Sequence, residues 1–143
     1  MRNNQFALAN PEQFIRAASA WQTARTEGDV ARKALANSIQ LLAAYARGQG
    51  YAFASRYYTD IIAMEYQALF QLERVFADHF RDTLTTAQNN NLAAAERIAQ
   101  RAIQDGMDSR MPHKAVYRLA KQRVILFAEL VGRTRPGDDR ILM

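Results

Sequence analysis

The feature that most limits what this chain can fold into is the length over which nothing interrupts a helix. From Pro11 to Arg47 the only weakening step is Gly28-Asp29. Asn10 can cap this region, Pro11 suits the first helical position, and Gln13 completes a capping box. Phe14, Ala18 and Trp21 fall at i, i+4, i+7, and Leu35, Ile39, Leu42 and Ala46 repeat the pattern. Residues 11–47 therefore form one long helix, or two hinged near Gly28 with Asp29 as the second cap. Gly48-Gln49-Gly50 is the clearest interruption in the chain.

Beyond it, residues 52–87 read as one helix of high apolar density, with Tyr58, Ile62, Leu69, Leu72, Phe76 and Phe80 on a broad face. A helix apolar over so much of its circumference is buried on more than one side. Gln88-Asn89-Asn90-Asn91 reads as a polar turn, with Asn91 capping a weaker Ala-rich helix over 92–105 that Gly106 ends. Pro112 opens a last helix carrying Val116, Ala120, Val124, Phe127 and Val131 on one face, which Gly132 closes. Neither a clean strand alternation nor an internal repeat is present. The expectation is an all-α helical bundle with a long N-terminal helical region or helix-turn-helix arm, assembling with partner subunits. Its divisions are an arm at 1–10, a basic helical region at 11–50, the bundle at 51–133 and a tail at 134–143.

Composition narrows function. The chain has no cysteine, which excludes disulfides and thiolate metal sites. Its N-terminus has no apolar run resembling a signal peptide, and Val124–Ala128 is too short to span a bilayer, so a soluble protein with no membrane insertion is expected. Catalytic patterns are missing. Neither His79 nor His113 is preceded by Glu at three residues, as a di-metal bundle requires. No phosphate loop, dinucleotide fingerprint or nucleophile elbow occurs. Asp78, His79 and Asp82 form only a weak cation cluster. Glu65 interrupts the apolar stripe of its helix, and pairing with an Arg from a neighbouring helix is its expected role. No enzymatic activity and no cofactor are expected.

The net charge is +5, carried by 16 Arg against 3 Lys, and 26 residues are Ala. Arg is preferred where bidentate contacts to phosphate or carboxylate matter. The charge is also segmented: +4 over residues 1–57, −4 over 58–108 and +5 over 109–143. In the last helix Lys114, Arg118 and Lys121 fall at i, i+4, i+7, and Arg110 extends the row. In the first region Arg25 and Arg32 share a face, with Lys33 beside them and Arg16 and Arg47 nearer the ends. Such rows can track phosphates. With no recognition-helix signature, backbone rather than base edges would be read. Tyr51, Phe53, Tyr57 and Tyr58 cluster after the Gly-x-Gly turn, a composition favoured at interfaces.

Arg- and Ala-rich helices over 11–47, a Gly-x-Gly hinge and a compact bundle ending in a basic helix resemble the major capsid proteins of filamentous archaeal viruses. The resemblance covers most of the chain and rests on size, layout and charge. It implies a virion coat protein polymerising around double-stranded DNA, through self-association or with a paralogous coat subunit. Arg16, Arg25, Arg32, Lys33 and Arg47 would then be the first phosphate contacts. The abundance of Asn and Gln departs from a protein kept hot and favours a mesophilic phage virion protein or a plasmid-encoded helical protein. The alternative is an adaptor or inhibitor whose Arg rows meet an acidic protein. On the coat reading, reversing Arg25 and Arg32 to Glu should abolish DNA retention while the helical circular-dichroism signal stays intact.

Overall fold

The computed structural model describes residues 11–72 and 80–142. Among them are four α-helices, α1 Pro11–Gly48, α2 Arg56–Phe70, α3 Thr86–Asp108 and α4 His113–Val131, with a 3-10 turn at Phe80–Thr83. The chain is an all-helical bundle. The N-terminal arm and the Asn10 cap lie outside the described residues, as do Phe76 and the Asp78-His79 pair.

Residues 11–48 form one helix, not two. At 38 residues it is about 57 Å long. Its buried residues are Ala24, Gly28, Ala31, Leu35, Ser38, Ile39, Leu42, Ala43 and Ala46, a seam spaced alternately by three and four. Gly28 sits inside that seam, so the expected hinge is a packing position. The partner seam is on α3, where Leu92, Ala95, Glu96, Ala99, Ala102, Ile103 and Gly106 are buried. Small residues on both sides allow the axes to approach toward the short end of the usual 8–10 Å range. Trp21 Nε1 donates to the Leu84 carbonyl at 2.9 Å and Tyr45 Oη to the Met111 carbonyl at 2.5 Å. Those two contacts show that α1 and α3 run parallel. Likewise Tyr57 meets His113 while the Thr134 amide donates to the Leu69 carbonyl, so α2 and α4 run together in the opposite sense. The first ten residues of α1 are exposed on every side, including Phe14 and Ile15.

Three expected boundaries differ. The helix expected over 52–87 stops at Phe70. Gln71 is left-handed at φ 55°, its amide donates to the Gln67 carbonyl and that of Leu72 to the Tyr66 carbonyl. The 5→1 bond to Gln67 makes this an αL ending without glycine, at a cost of about 1 kcal/mol. The supposed turn at 88–91 is the first turn of α3. Thr85 is its cap, with its side chain accepting from the Gln88 amide and the Gln88 side chain accepting from the Thr85 amide. That box outranks Asn91. Finally, Gly106 does not end α3, which continues to Asp108. A Cβ there would stand 3.0 Å from Val116 Cγ2 and 3.3 Å from Val116 Cα, so glycine is where α4 crosses closest.

The C-terminal segment is docked, not loose. Gln88 Oε1 accepts from the Gly137 amide at 2.8 Å, and its Nε2 lies 2.8 Å from Thr134 Oγ1 and 2.6 Å from the Arg135 carbonyl. Thr134 bridges to Ile141, and Ile141 packs on Gly132. One buried amide thus ties the start of α3 to the tail.

The core holds three charged residues, Glu65 of α2, Arg81 of the 3-10 turn and Glu96 of α3, with the half-buried Arg32 of α1 beside them. Glu65 and Glu96 are 0% exposed. Arg81 Nη2 donates to Glu96 Oε1 at 2.9 Å. Both Glu65 oxygens are sealed from solvent without a hydrogen bond, as are Glu96 Oε2 and the Nε atoms of Arg32 and Arg81. The expected pairing of Glu65 with a neighbouring Arg is therefore corrected: the direct ion pair belongs to Glu96. Burial, and then the neighbouring Glu96, push the Glu65 carboxyl well above its ordinary value, against the pull of Arg32 and Arg81. The neutral acid is the form that these apolar surroundings favour.

Two outcomes are expected. Glu65 binds a proton in the fold and releases it in the unfolded chain near its ordinary pKa of about 4.3. Its contribution to stability is therefore largest in acid and falls as pH rises through the region above that value. Glu65→Gln should raise stability at pH 8 relative to pH 5, read as the pH dependence of the urea midpoint. Arg81→Ala should instead cost about 3 kcal/mol, because it strands the buried Glu96. Separately, Gln88→Ala should cost about 2 kcal/mol in urea unfolding and open Arg133 and Arg140 to trypsin.

Candidate nucleic-acid interface

The expected phosphate contacts separate once their partners are visible. Arg25 Nη1 meets Asp29 and its Nε meets Asp82 at 2.9 Å, with the side chain only 16% exposed. Arg32 Nη2 donates to Tyr58 Oη at 3.0 Å and its head points at the buried acids. These two arginines hold α1 to the rest of the bundle, so the expectation that their reversal would leave the fold intact is corrected. Reversing them places carboxylates against Asp29, Asp82 and Glu96. Arg16 is exposed on the outer part of α1 and pairs loosely with Glu12 at 3.8 Å. Lys33 is exposed on the flank of α1, away from the other cations.

Five other cations gather at one end of the bundle, where α1 and α3 finish and α2 and α4 begin. Arg47 lies in the last turn of α1, and Arg56 opens α2. Arg110 lies in the α3–α4 connection, with Lys114 and Arg118 in the first turns of α4. All five are exposed and none pairs with a carboxylate among the described residues. Asp108 accepts from the Gln104 side chain at 2.8 Å, and Asp105 is taken by Arg101 and Arg123. Lys121, one turn beyond Arg118, instead rims an open groove of about 740 Å³ between α2 and α4, with Asp60, Met64, Gln67, Tyr117 and Ile125.

The backbone at this end is built from specific contacts. Gly50, at φ 87°, reverses the chain after α1, and the Tyr51 amide donates back to the Ala46 carbonyl at 3.0 Å. A β-carbon there would strain the turn. The His113 amide donates to Gln49 Oε1 at 2.8 Å, which fastens the start of α4 to the end of α1. An aromatic stack fills the space between. The Tyr51 and His113 rings lie 4.6 Å apart at 27°, Tyr57 is 5.7 Å from Tyr51, and Tyr117 is 5.9 Å from Tyr57. Lys114 Nζ stands 5.9 Å from the Tyr51 ring centroid and the Arg56 guanidinium 5.8 Å from that of Phe53. Such cation–π contacts orient the cations without neutralising them.

Two titrations define the polarity of this stack. Burial, then the neighbouring Tyr51, pushes the Tyr57 phenol up to about 12, so it keeps its proton. Burial and then Lys114 push the His113 imidazole below its ordinary range. His113 is neutral at pH 7 and its Nδ1 shares a hydrogen bond with Tyr57 Oη at 2.5 Å. Among the described residues no group of three His, Asp or Glu side chains could hold a metal ion, and no helix is long and apolar enough to cross a membrane.

Sequence reading found Lys114, Arg118, Arg47 and Arg110 but not their convergence with Arg56, because contacts across 60 residues leave no periodic trace. It also missed Glu96, although Leu92, Glu96, Ala99 and Ile103 share one apolar face by spacing alone. The chain matches no protein-family model, no curated protein and no solved structure.

Lys114→Ala should raise the His113 pKa, followed by the imidazole proton shifts in an NMR titration. Since His113 is depressed in the fold, its contribution to stability is present above the unfolded value of about 6.5 and is lost as pH falls below it.

Proposed function

We propose that this chain is a non-catalytic, nucleic-acid-binding coat subunit that holds phosphate backbone without sequence specificity and packs with further subunits around it. The observation that carries the reading is the convergence of Arg47, Arg56, Arg110, Lys114 and Arg118, all exposed and unpaired, on one rigid end of the bundle. Arg25, Arg81, Arg101, Arg123 and Arg140 are each paired with an acid of the bundle, whereas these five cations keep their charge toward solvent at one end. Each phosphate neutralised releases condensed counterions, which supplies affinity without base contacts.

Assembly is supported by the outer part of α1. Ten residues exposed on every side, with Phe14 and Ile15 bare, make a poor isolated helix in water. A neighbouring subunit covering that face would stabilise it. Such a contact joins unlike surfaces of two copies and propagates as an open helical array. A virion coat is the setting that combines both properties.

The test is retention of DNA of mixed sequence as a function of salt. Affinity should fall linearly in log–log form, and Arg47→Glu with Arg110→Glu should flatten the slope by about 2 while the helical signal is kept. If the wild type ignores DNA at low salt yet binds an acidic protein, the surface is a protein-docking face and the coat reading fails.

A further inference from the structure

We infer that Phe53, held beside Arg56, is a stacking platform for an unpaired base, so that the basic end takes single-stranded nucleic acid in preference to duplex. This deepens the nucleic-acid reading above and rests on it.

Phe53 is 60% exposed, in the α1–α2 connection at the cationic end. An exposed large apolar ring is unremarkable by itself. Its surroundings are not. Its edge meets Tyr51 at 6.1 Å and 74°, and the Arg56 guanidinium lies 5.8 Å from its centroid. Tyr51 is in turn stacked on His113, whose amide is fixed to Gln49, and Tyr57 bonds the same imidazole. Phe53 therefore projects from a built aromatic column, not from a loose loop. A base settling on it would lose little ring freedom on the protein side.

The charges fit the same ligand. Single-strand binders combine a cationic track for the backbone with aromatic rings for successive bases. Here Arg56 stands over the ring and Lys114 over the adjoining Tyr51, with Arg47, Arg110 and Arg118 at the same end of the bundle, and no acid of the described residues pairs with them. A duplex offers such a surface phosphates alone, since its bases are stacked on each other. It would leave Phe53 without a partner unless the ring wedged between base steps, which costs unstacking. A single strand supplies both contacts at once. Stacking is tolerant of base identity, because every base has a π-face, so the preference is for strandedness and not for sequence.

The experiment is fluorescence anisotropy of a labelled oligo-dT and a labelled duplex of equal length, at fixed low salt, with the full chain. The wild type should bind oligo-dT more tightly than duplex. Phe53→Ala should weaken oligo-dT binding roughly ten-fold and leave duplex binding unchanged. Phe53→Trp should keep oligo-dT affinity, and its added indole should be quenched on binding in excess of any change from Trp21. If Phe53→Ala binds both ligands like the wild type, the platform is overturned while the phosphate-binding reading stands. Equal weakening toward both ligands would make Phe53 a duplex wedge, which overturns the single-strand preference. Binding of neither ligand by the wild type overturns the underlying reading itself.

Discussion

Four charged side chains in the middle of the bundle set conditions that the rest of the structure has to meet. Arg32, Glu65, Arg81 and Glu96 come from α1, α2, the 3-10 turn and α3, so the cluster is complete only when all four elements are in place. Burying a charge without a partner costs several kcal/mol. The bundle limits that cost in two ways. Glu96 is paired directly with Arg81, and the surroundings of Glu65 favour its neutral acid. The result is a partly satisfied polar cluster: one direct ion pair is made, and the remaining buried oxygens and Nε atoms lack hydrogen bonds, so its members depend on one another's charge.

The same logic distributes the arginines. Arg25 is committed to Asp29 and Asp82, Arg81 to Glu96, Arg101 and Arg123 to Asp105, and Arg140 to Asp138. These pairs lie along the helix flanks, in the core and at the tail. Arg47, Arg56, Arg110, Lys114 and Arg118, which pair with no carboxylate among the described residues, lie where α1 and α3 end and α2 and α4 begin. A count of charge per segment would place positive surface at both ends of the chain. In three dimensions Arg25 and Arg32 of the first basic segment turn to partners on other elements, while Arg47 and Arg56 join Arg110, Lys114 and Arg118 at one end of the bundle.

The helices were legible in the sequence because period and capping residues are local. Leu35, Ile39, Leu42 and Ala46 announce the seam of α1, and Val116, Ala120 and Val124 that of α4. Three features were not legible. Gln71 adopts a glycine-like conformation that its identity does not advertise. Gln88 and Asn89 look like turn residues and become buried anchors, because Thr85 caps the helix ahead of them and the tail returns to Gln88. Arg25 and Arg32 share a face on the helical wheel, as cations on an outer surface would, and the partners that turn them inward, Asp82 and Tyr58, are far along the chain. Spacing gives the face of a helix. Whether a cation on that face meets solvent or a carboxylate is decided by tertiary contact.

The most direct measurement of the account is a hydrogen-exchange footprint of the full chain with and without a short oligonucleotide. The account predicts added protection confined to residues 47–57 and 110–118, the two stretches that build the basic, aromatic end. Added protection along 16–33 of α1 instead, or no change anywhere at low salt, would contradict it.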